Sequence, residues 1–318
     1  MGMLVNGKWT QDNRYANEKG EFIRKDSQFR NWITSDGSAG PTGEGGFQAE
    51  PNRYHLYVSY ACPWASRTLI FRNLKGLEDM ISLSVVNPLM LKNGWTFEEA
   101  EGVISDPIFD AKFLYEIYAQ VDPEYSGRVT VPVLYDKKQN KIVSNESAEI
   151  IRMFNSAFDN VGATPGNYLP EAKLAQIDAW NEKIYHDINN GVYKAGFATK
   201  QEVYEQTVIK LFKRLDEIEG VLENQRFLIS DEPTEADWRL FPTLVRFDSV
   251  YVGHFKCNLR QIREYKNLWR YTRELYNWPK IAQTVNMSHI KQHYYISHDF
   301  INPTQIVPKG PEIDFRLD

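Results

Sequence analysis

At 318 residues, with 42% apolar and 25% charged residues, the chain has the make-up of an ordinary globular protein with length enough for two cores. A net charge of −5, with no basic tract interleaved with aromatics, excludes nucleic acid as an expected partner. Two cysteines, Cys62 and Cys257, make no disulfide scaffold, and no stretch has signal-peptide or membrane-spanning character, so a reducing compartment, by default the cytoplasm, is expected.

In chain order, charges alternate from Lys19 to Arg30, as on a solvated face, and residues 35–53 are too rich in Gly and Pro for a regular element. A phosphate-binding loop is not indicated there, because no Gly-Lys-Ser/Thr follows and no strand precedes. Residues 54–58 read as a strand, 63–75 as a helix with Pro63 at its first position, and 81–86 as a second strand. Apolar residues at Phe113, Leu114, Ile117, Tyr118 and Val121 lie on one face of a helix over 110–121. Residues 129–135 and 141–144 then read as a hairpin, and 146–158 as a helix. The order β-α-β-α-β-β-α is thioredoxin-like. A Gly- and Pro-containing stretch at 160–170 marks a domain boundary. Beyond it the pattern is helical throughout, over 172–189, 200–223, 234–251, 259–276 and 279–297. Thr234-Glu235-Ala236-Asp237 has the form of a capping box, a structural start signal. The expected organisation is an N-terminal extension (1–53), an α/β domain (54–159), an all-α domain (170–300) and a Pro-containing tail (301–318) that wraps the surface or frays.

Cys62 is the most informative residue, because it stands where the first strand hands over to the helix opened by Pro63. Free N–H groups and the helix dipole at such a site can lower a thiol pKa from about 8.5 into the range of roughly 3.5–7.5. Ala65 occupies the place of a second cysteine in a C-x-x-C motif, so a mixed disulfide on Cys62 must be resolved by an external thiol. Pro132 inside a good strand argues for a cis peptide after Val131, which would leave the backbone of Val131 to pair with an extended peptide. Ser144-Asn145-Glu146-Ser147 opens a helix and offers N–H groups and a hydroxyl to a carboxylate, and Glu146 to an ammonium. Trp95 could stack and Arg128 could pair a second carboxylate. A small peptide with one amine, two carboxylates and a sulfur fits this set, and glutathione is that molecule.

These features, followed by an all-helical half, resemble the cytosolic glutathione transferase fold. Cys62-Pro63-Trp64-Ala65, the insertion from Asn87-Pro88 to Trp95, and Trp238-Arg239-Leu240-Phe241-Pro242 closely resemble the Xi class, the glutathionyl-hydroquinone reductases. The resemblance runs from the Gly-rich loop to about His298, with Ser66 a departure where the family pattern has histidine. It implies a homodimer, without metal, that removes glutathione from glutathionyl-hydroquinones. By the same comparison Cys62 is the nucleophile, and Trp95, Arg128, Val129, Glu146 and Ser147 hold glutathione. Tyr193, Tyr251 and Tyr294 line a quinol pocket, with Tyr193 and Tyr294 donating a proton or hydrogen bond. An Omega-like thioltransferase or dehydroascorbate reductase would use the same cysteine, and a non-catalytic glutathione-fold binding protein would keep the fold without turnover. Cys257 reads as a packed residue rather than a resolving thiol. His289 and His293, four apart and followed by His298, read as an aromatic-polar helix face rather than a metal site.

Overall fold

The computed structural model describes residues 2–11, 16–22 and 26–317. Among them, contacts define two compact units. The first gathers 2–11, 26–166 and 284–298; the second gathers 16–22, 167–283 and 299–317.

The first unit is built on a four-stranded sheet of order β4-β3-β6-β7. Its central strand β3 (Tyr54–Val58) is buried at every position, as a strand covered on both faces must be. It runs parallel to β4 (Ile81–Val85) and antiparallel to β6 (Val133–Asp136), which pairs antiparallel with β7 (Lys141–Ser144). Helix α1 (Pro63–Leu74) packs against α3 (Ser147–Ser156), and α2 (Leu114–Val121) packs on β7. The expected strand over 129–135 is shorter than its apolar pattern: the Val131–Pro132 peptide is cis and the ladder starts only at Val133. The chain just before it forms β5 (Gly127–Arg128), which joins a different sheet.

That second sheet, of order β2-β1-β5, takes in the first residues of the N-terminal extension, for which the sequence pattern predicts no element. β1 (Gly2–Val5) and β2 (Lys8–Gln11) form a hairpin in which Val5 faces Lys8 across a two-residue turn. The turn is Asn6-Gly7, with φ of 48° and 71°, the left-handed pair that such a hairpin needs. The charge alternation over 19–30 falls partly at 23–25, outside the described residues. At its end Arg30 keeps its side chain partly exposed while its Nε donates to the Glu149 carboxylate at 2.7 Å.

A further departure concerns the C-terminal helix. The periodic pattern over 279–297 yields α9 only from Met287 to Ser297, with the Asn286 side chain accepting from the His289 N–H at 3.0 Å. This helix belongs to the first unit and not to the helical one. The His289 imidazole meets the Glu101 carbonyl at 2.6 Å, His293 Nδ1 meets the Pro88 carbonyl at 2.9 Å, and the Ser297 hydroxyl accepts from the Met90 N–H at 3.0 Å.

The second unit is helical: α4 (Leu174–Ile184), α5 (Gly191–Gly196), α6 (Gln201–Val221), α7 (Glu235–Arg246) and α8 (Lys266–Tyr276). Wider π-type turns continue α4 over Tyr185–Asn189 and α7 over Phe247–Tyr251. Asn189 bridges these helices by donating to the Arg239 carbonyl (3.2 Å) and the Thr243 hydroxyl (2.8 Å). The start of α7 is fixed by buried Asp237, which accepts from the Thr234 N–H at 2.7 Å, the Leu228 N–H at 3.0 Å and the Tyr271 hydroxyl at 2.8 Å. Thr234 and Asp237 form the expected capping box, and the Thr234 hydroxyl also donates to the Asp237 carboxylate at 3.0 Å. Helix α8 begins later than expected because Asp248 captures the N–H groups of Ile262 and Arg263 and holds 262–264 in a separate turn. The tail wraps this unit: Phe315 stacks on Tyr276 at 4.8 Å, and its carbonyl accepts from Asn277.

His55, inside β3, gives the first unit a pH dependence. Ser84 donates to the Ser105 carbonyl (2.8 Å), so it accepts from His55 Nε2–H (2.9 Å), and the Ser82 hydroxyl donates to Nδ1 (2.7 Å). Burial lowers the imidazole pKa to about 4, and Ser82 offers its hydrogen where a second proton would have to sit. Between pH 6.5 and 4 the unfolded chain binds a proton that the folded chain refuses. Stability that is full above pH 6.5 is therefore lost as pH falls through this window, by up to about 1.4 kcal/mol per pH unit. Thermal melts should show this slope, and His55→Asn should flatten it while lowering stability at neutral pH.

Candidate active site

The hand-over from β3 to α1 is a tight turn in which the Cys62 N–H donates to the Ser59 carbonyl at 3.2 Å and the Ala61 N–H to the Ser59 hydroxyl at 3.2 Å. Cys62 itself is the helix N-cap, with extended backbone (φ −76°, ψ 118°), and its carbonyl takes the first helical bond from the Ser66 N–H at 3.0 Å. Pro63 fills the first helical position, where a missing N–H costs nothing. Cys62 is half-buried, and its sulfur lies 3.6 Å from the Val131 carbonyl, the residue before the cis proline. Ser66 is buried one turn along the helix.

From Val131 a chain of hydrogen bonds leads to the second helix start. The buried Tyr118 hydroxyl donates to the Thr130 carbonyl at 2.9 Å and accepts from Asn145 Nδ2 at 3.3 Å. Next to Asn145, Glu146 is the N-cap of α3: Oε1 accepts from the Ala148 N–H at 3.0 Å and Oε2 from the Ser27 hydroxyl at 3.0 Å. Each carboxylate oxygen keeps a further lone pair for a cationic donor. Ser147, the first residue of α3, is buried, as is Val129, while Arg128 is half-buried on β5. Trp95 is also buried, stacked on His293 with ring centroids 4.9 Å apart and planes at 22°. Tyr294, one residue on and 1% exposed, meets His298 edge-on at 5.5 Å.

Cys62, Trp95, Arg128, Val129, Glu146, Ser147 and Tyr294 all belong to the first unit. Tyr294 was expected from the helical domain together with Tyr193 and Tyr251, and α9 places it elsewhere because its histidines bind the 88–101 loop. Tyr193 and Tyr251 do share a neighbourhood, in the second unit, at 6.3 Å between centroids. Tyr251 is fully buried and lies flat on Phe255 at 5.5 Å, while half-buried Tyr193 stacks on Phe22 at 5.9 Å. Ser27 and Tyr118, which the sequence pattern does not single out for the site, adjoin these residues through hydrogen bonds, and His293, expected on an aromatic-polar helix face, stacks on Trp95.

The two thiols differ in kind. Cys257 is 0% exposed, burial pushes its pKa well up, and its sulfur faces the Phe255 carbonyl at 3.8 Å. The histidine pair on α9 is committed to backbone carbonyls, and among the described residues no group of His, Cys, Asp and Glu is placed to hold a metal ion.

A thioredoxin-like unit with a cysteine at its first helix start and a cis proline beside it, continued by an all-helical unit, is a glutathione transferase. Residues 61–157 match the family model for the glutathione S-transferase N-terminal domain, and 201–274 that for the C-terminal domain. The chain is 57% identical over 314 residues to the glutathionyl-hydroquinone reductase YqjG of Escherichia coli K12, covering 98% of this chain and 95% of that protein. The glutathione-bound structure of YqjG superposes with a TM-score of 0.92 at 55% identity, covering 99% of this chain and 97% of the other. A Xi-class glutathione transferase from Natrialba magadii gives 0.91 at 48% identity, with coverage of 100% and 95%. The chain belongs to the Xi class of glutathione transferases, the glutathionyl-hydroquinone reductases.

The contrast between the thiols has a direct test. Native protein should take up one equivalent of iodoacetamide, on Cys62, and a second only on unfolding. Intact-mass and peptide analysis would read this, and equal labelling of Cys257 in the native state would contradict it.

Proposed function

We propose that the protein catalyses reductive deglutathionylation of glutathionyl-hydroquinones through a mixed disulfide on Cys62, acting as a homodimer. The observation that carries this reading is the single accessible thiol, at a helix N-terminus and against the backbone carbonyl that precedes the cis proline. In the first half-reaction the Cys62 thiolate attacks the glutathione sulfur of the substrate's keto tautomer. The carbon–sulfur bond breaks, its electron pair restores the aromatic ring and leaves the negative charge on the former keto oxygen, and protonation of that oxygen releases the hydroquinone, the ring carbon having gained its proton in the preceding tautomerisation. In the second half-reaction an external glutathione thiolate attacks the sulfur of the bound glutathione, freeing Cys62 and releasing oxidised glutathione. Two glutathione sulfurs are oxidised and one ring carbon is reduced, so electrons balance.

In this reading glutathione is held in the first unit. The N–H groups at the start of α3 and the Ser147 hydroxyl receive the carboxylate of its α-amino acid head, and Glu146 receives the ammonium. Arg128 pairs the second carboxylate, Val129 supplies backbone, and Trp95 supplies an apolar wall. Tyr193 and Tyr251 receive the quinol ring, with the Tyr193 phenol donating a hydrogen bond or proton, and Tyr294 serves the same chemistry from α9. The half-exposed ring of Tyr193 within an aromatic group supports this role.

Enzyme incubated with glutathionyl-menadiol but no free glutathione should acquire one glutathione, on Cys62, and release one hydroquinone. A Cys62–Cys257 disulfide or an unmodified enzyme would overturn the scheme. Cys62→Ser should lose turnover. Tyr193→Phe and Tyr251→Phe should lower kcat/KM for glutathionyl-hydroquinones by about 100-fold, against a much smaller change for a small mixed disulfide of glutathione, whose thiol leaves without ring protonation. Equal losses on both substrates would reduce these tyrosines to supports of the fold.

A further inference from the structure

The N-terminal hairpin pairs with Arg128 on one edge and closes over the loop that leads to Trp95 on the other. On one edge, β1 pairs with β5 so that Met3 lies opposite Arg128 and Leu4 opposite Gly127. Arg128 also donates from Nη1 to the Gly2 carbonyl at 3.4 Å. The pairing is anchored on either side, by fully buried Leu4 and by the Asn6 N–H, which donates to the Ser126 hydroxyl at 2.8 Å. On the other edge stands Trp9 of β2. Its indole N–H donates to the Lys92 carbonyl at 3.0 Å, and its ring stacks on Tyr115 at 4.8 Å and 17°.

Trp9 thereby closes over the loop that ends in Trp95. Gly94 has a left-handed φ of 67°, and a Cβ there would fall 2.7 Å from the Trp9 ring; one at Gly2 would fall 2.4 Å from it. Both glycines leave the space that the indole fills. Tyr115 stacks on Phe113 at 5.0 Å, and the residue after Phe113 donates its N–H to the Trp95 carbonyl at 3.0 Å. Trp95 is held from the other side by its stack on His293.

We infer that the hairpin 2–11 is a positioning element for glutathione binding, with Trp9 as the residue that sets Trp95 and β1 as the strand that sets Arg128. The inference rests on the reading that Trp95 and Arg128 hold glutathione. Trp9 touches no reacting atom and acts through its neighbours. Removing it should weaken binding of the peptide without altering the chemistry of Cys62.

The test is calorimetric binding of reduced glutathione in a Cys62→Ser background, together with steady-state kinetics in the Cys62 enzyme. Trp9→Ala should raise the glutathione Kd about tenfold and the KM for a glutathionyl-hydroquinone in parallel, with kcat held within about twofold. Trp9→Phe keeps a ring for Tyr115 and Gly94 and loses only the bond to the Lys92 carbonyl, so it should recover most of the loss. In the double variant with Trp95→Ala the losses should not add, because Trp9 acts through Trp95. An unchanged Kd in Trp9→Ala, additive losses, or a fall in kcat with KM unchanged would each overturn the inference. If Trp9→Ala fails to fold, Trp9→Phe decides, and its Kd should still rise by about threefold; an unchanged value would leave the hairpin a merely structural cap. The underlying reading is tested separately: Trp95→Ala and Arg128→Ala alone should weaken glutathione binding. If neither does, the assignment of those two residues fails, whatever Trp9 does.

Discussion

The 3.6 Å approach of the Cys62 sulfur to the Val131 carbonyl joins two segments that are 69 residues apart, and the geometry of the first unit is organised around it. One side of the contact is set by β3, whose complete burial leaves its last turn little freedom, and by Pro63, which starts the helix at the next residue. The other side is set by a strand that changes sheets. Residues 127–128 belong to the N-terminal sheet, residues from 133 onward to the central one, and the cis peptide lies between. A chain bent in this way turns a carbonyl toward the helix N-terminus instead of spending it in a ladder. Thiol, helix N–H groups and a peptide edge therefore meet in one place.

The polar groups around this centre are used with little redundancy. Tyr118 spends its hydroxyl hydrogen on Thr130 and its oxygen on Asn145, linking the segment before the cis proline to the cap of α3. Burial pushes its phenol pKa up, in keeping with a tyrosine that holds structure rather than moving protons. Glu146 has one oxygen on the helix and one on Ser27, which aims its carboxylate without exhausting its acceptor capacity. His55 does the same service inside β3, satisfied only in its neutral form.

The parts of this arrangement legible in the sequence were those with a local cause. The β-α-β run, Pro63 after Cys62 and Pro132 in an apolar strand each announce themselves over a few residues, through period, fixed φ or a missing donor. What was illegible depends on distance. Nothing about the i, i+4 spacing of His289 and His293 says that they bind the carbonyls of Glu101 and Pro88, so the helix was assigned to the wrong unit and Tyr294 with it. The N-terminal hairpin had a local signal in Asn6-Gly7, yet its strands are four residues long and β5 only two, too short for alternation to show. Ser27 and Tyr118 matter through hydrogen bonds to residues far along the chain, which composition cannot report.

The order in which the chain supplies its two units carries a consequence for heredity. Residues 2–11 belong to the first unit, 16–22 to the second, 26–166 to the first again, and 284–298 return to it after the helical stretch. No single cut yields a complete copy of either part. A gene fragment ending near residue 166 would encode a sheet without the helix whose histidine backs Trp95, and the remaining fragment would lack the segment that brings Phe22 to Tyr193. Such interleaving makes modular exchange of halves between relatives costly, and it favours inheritance of the two parts as one block.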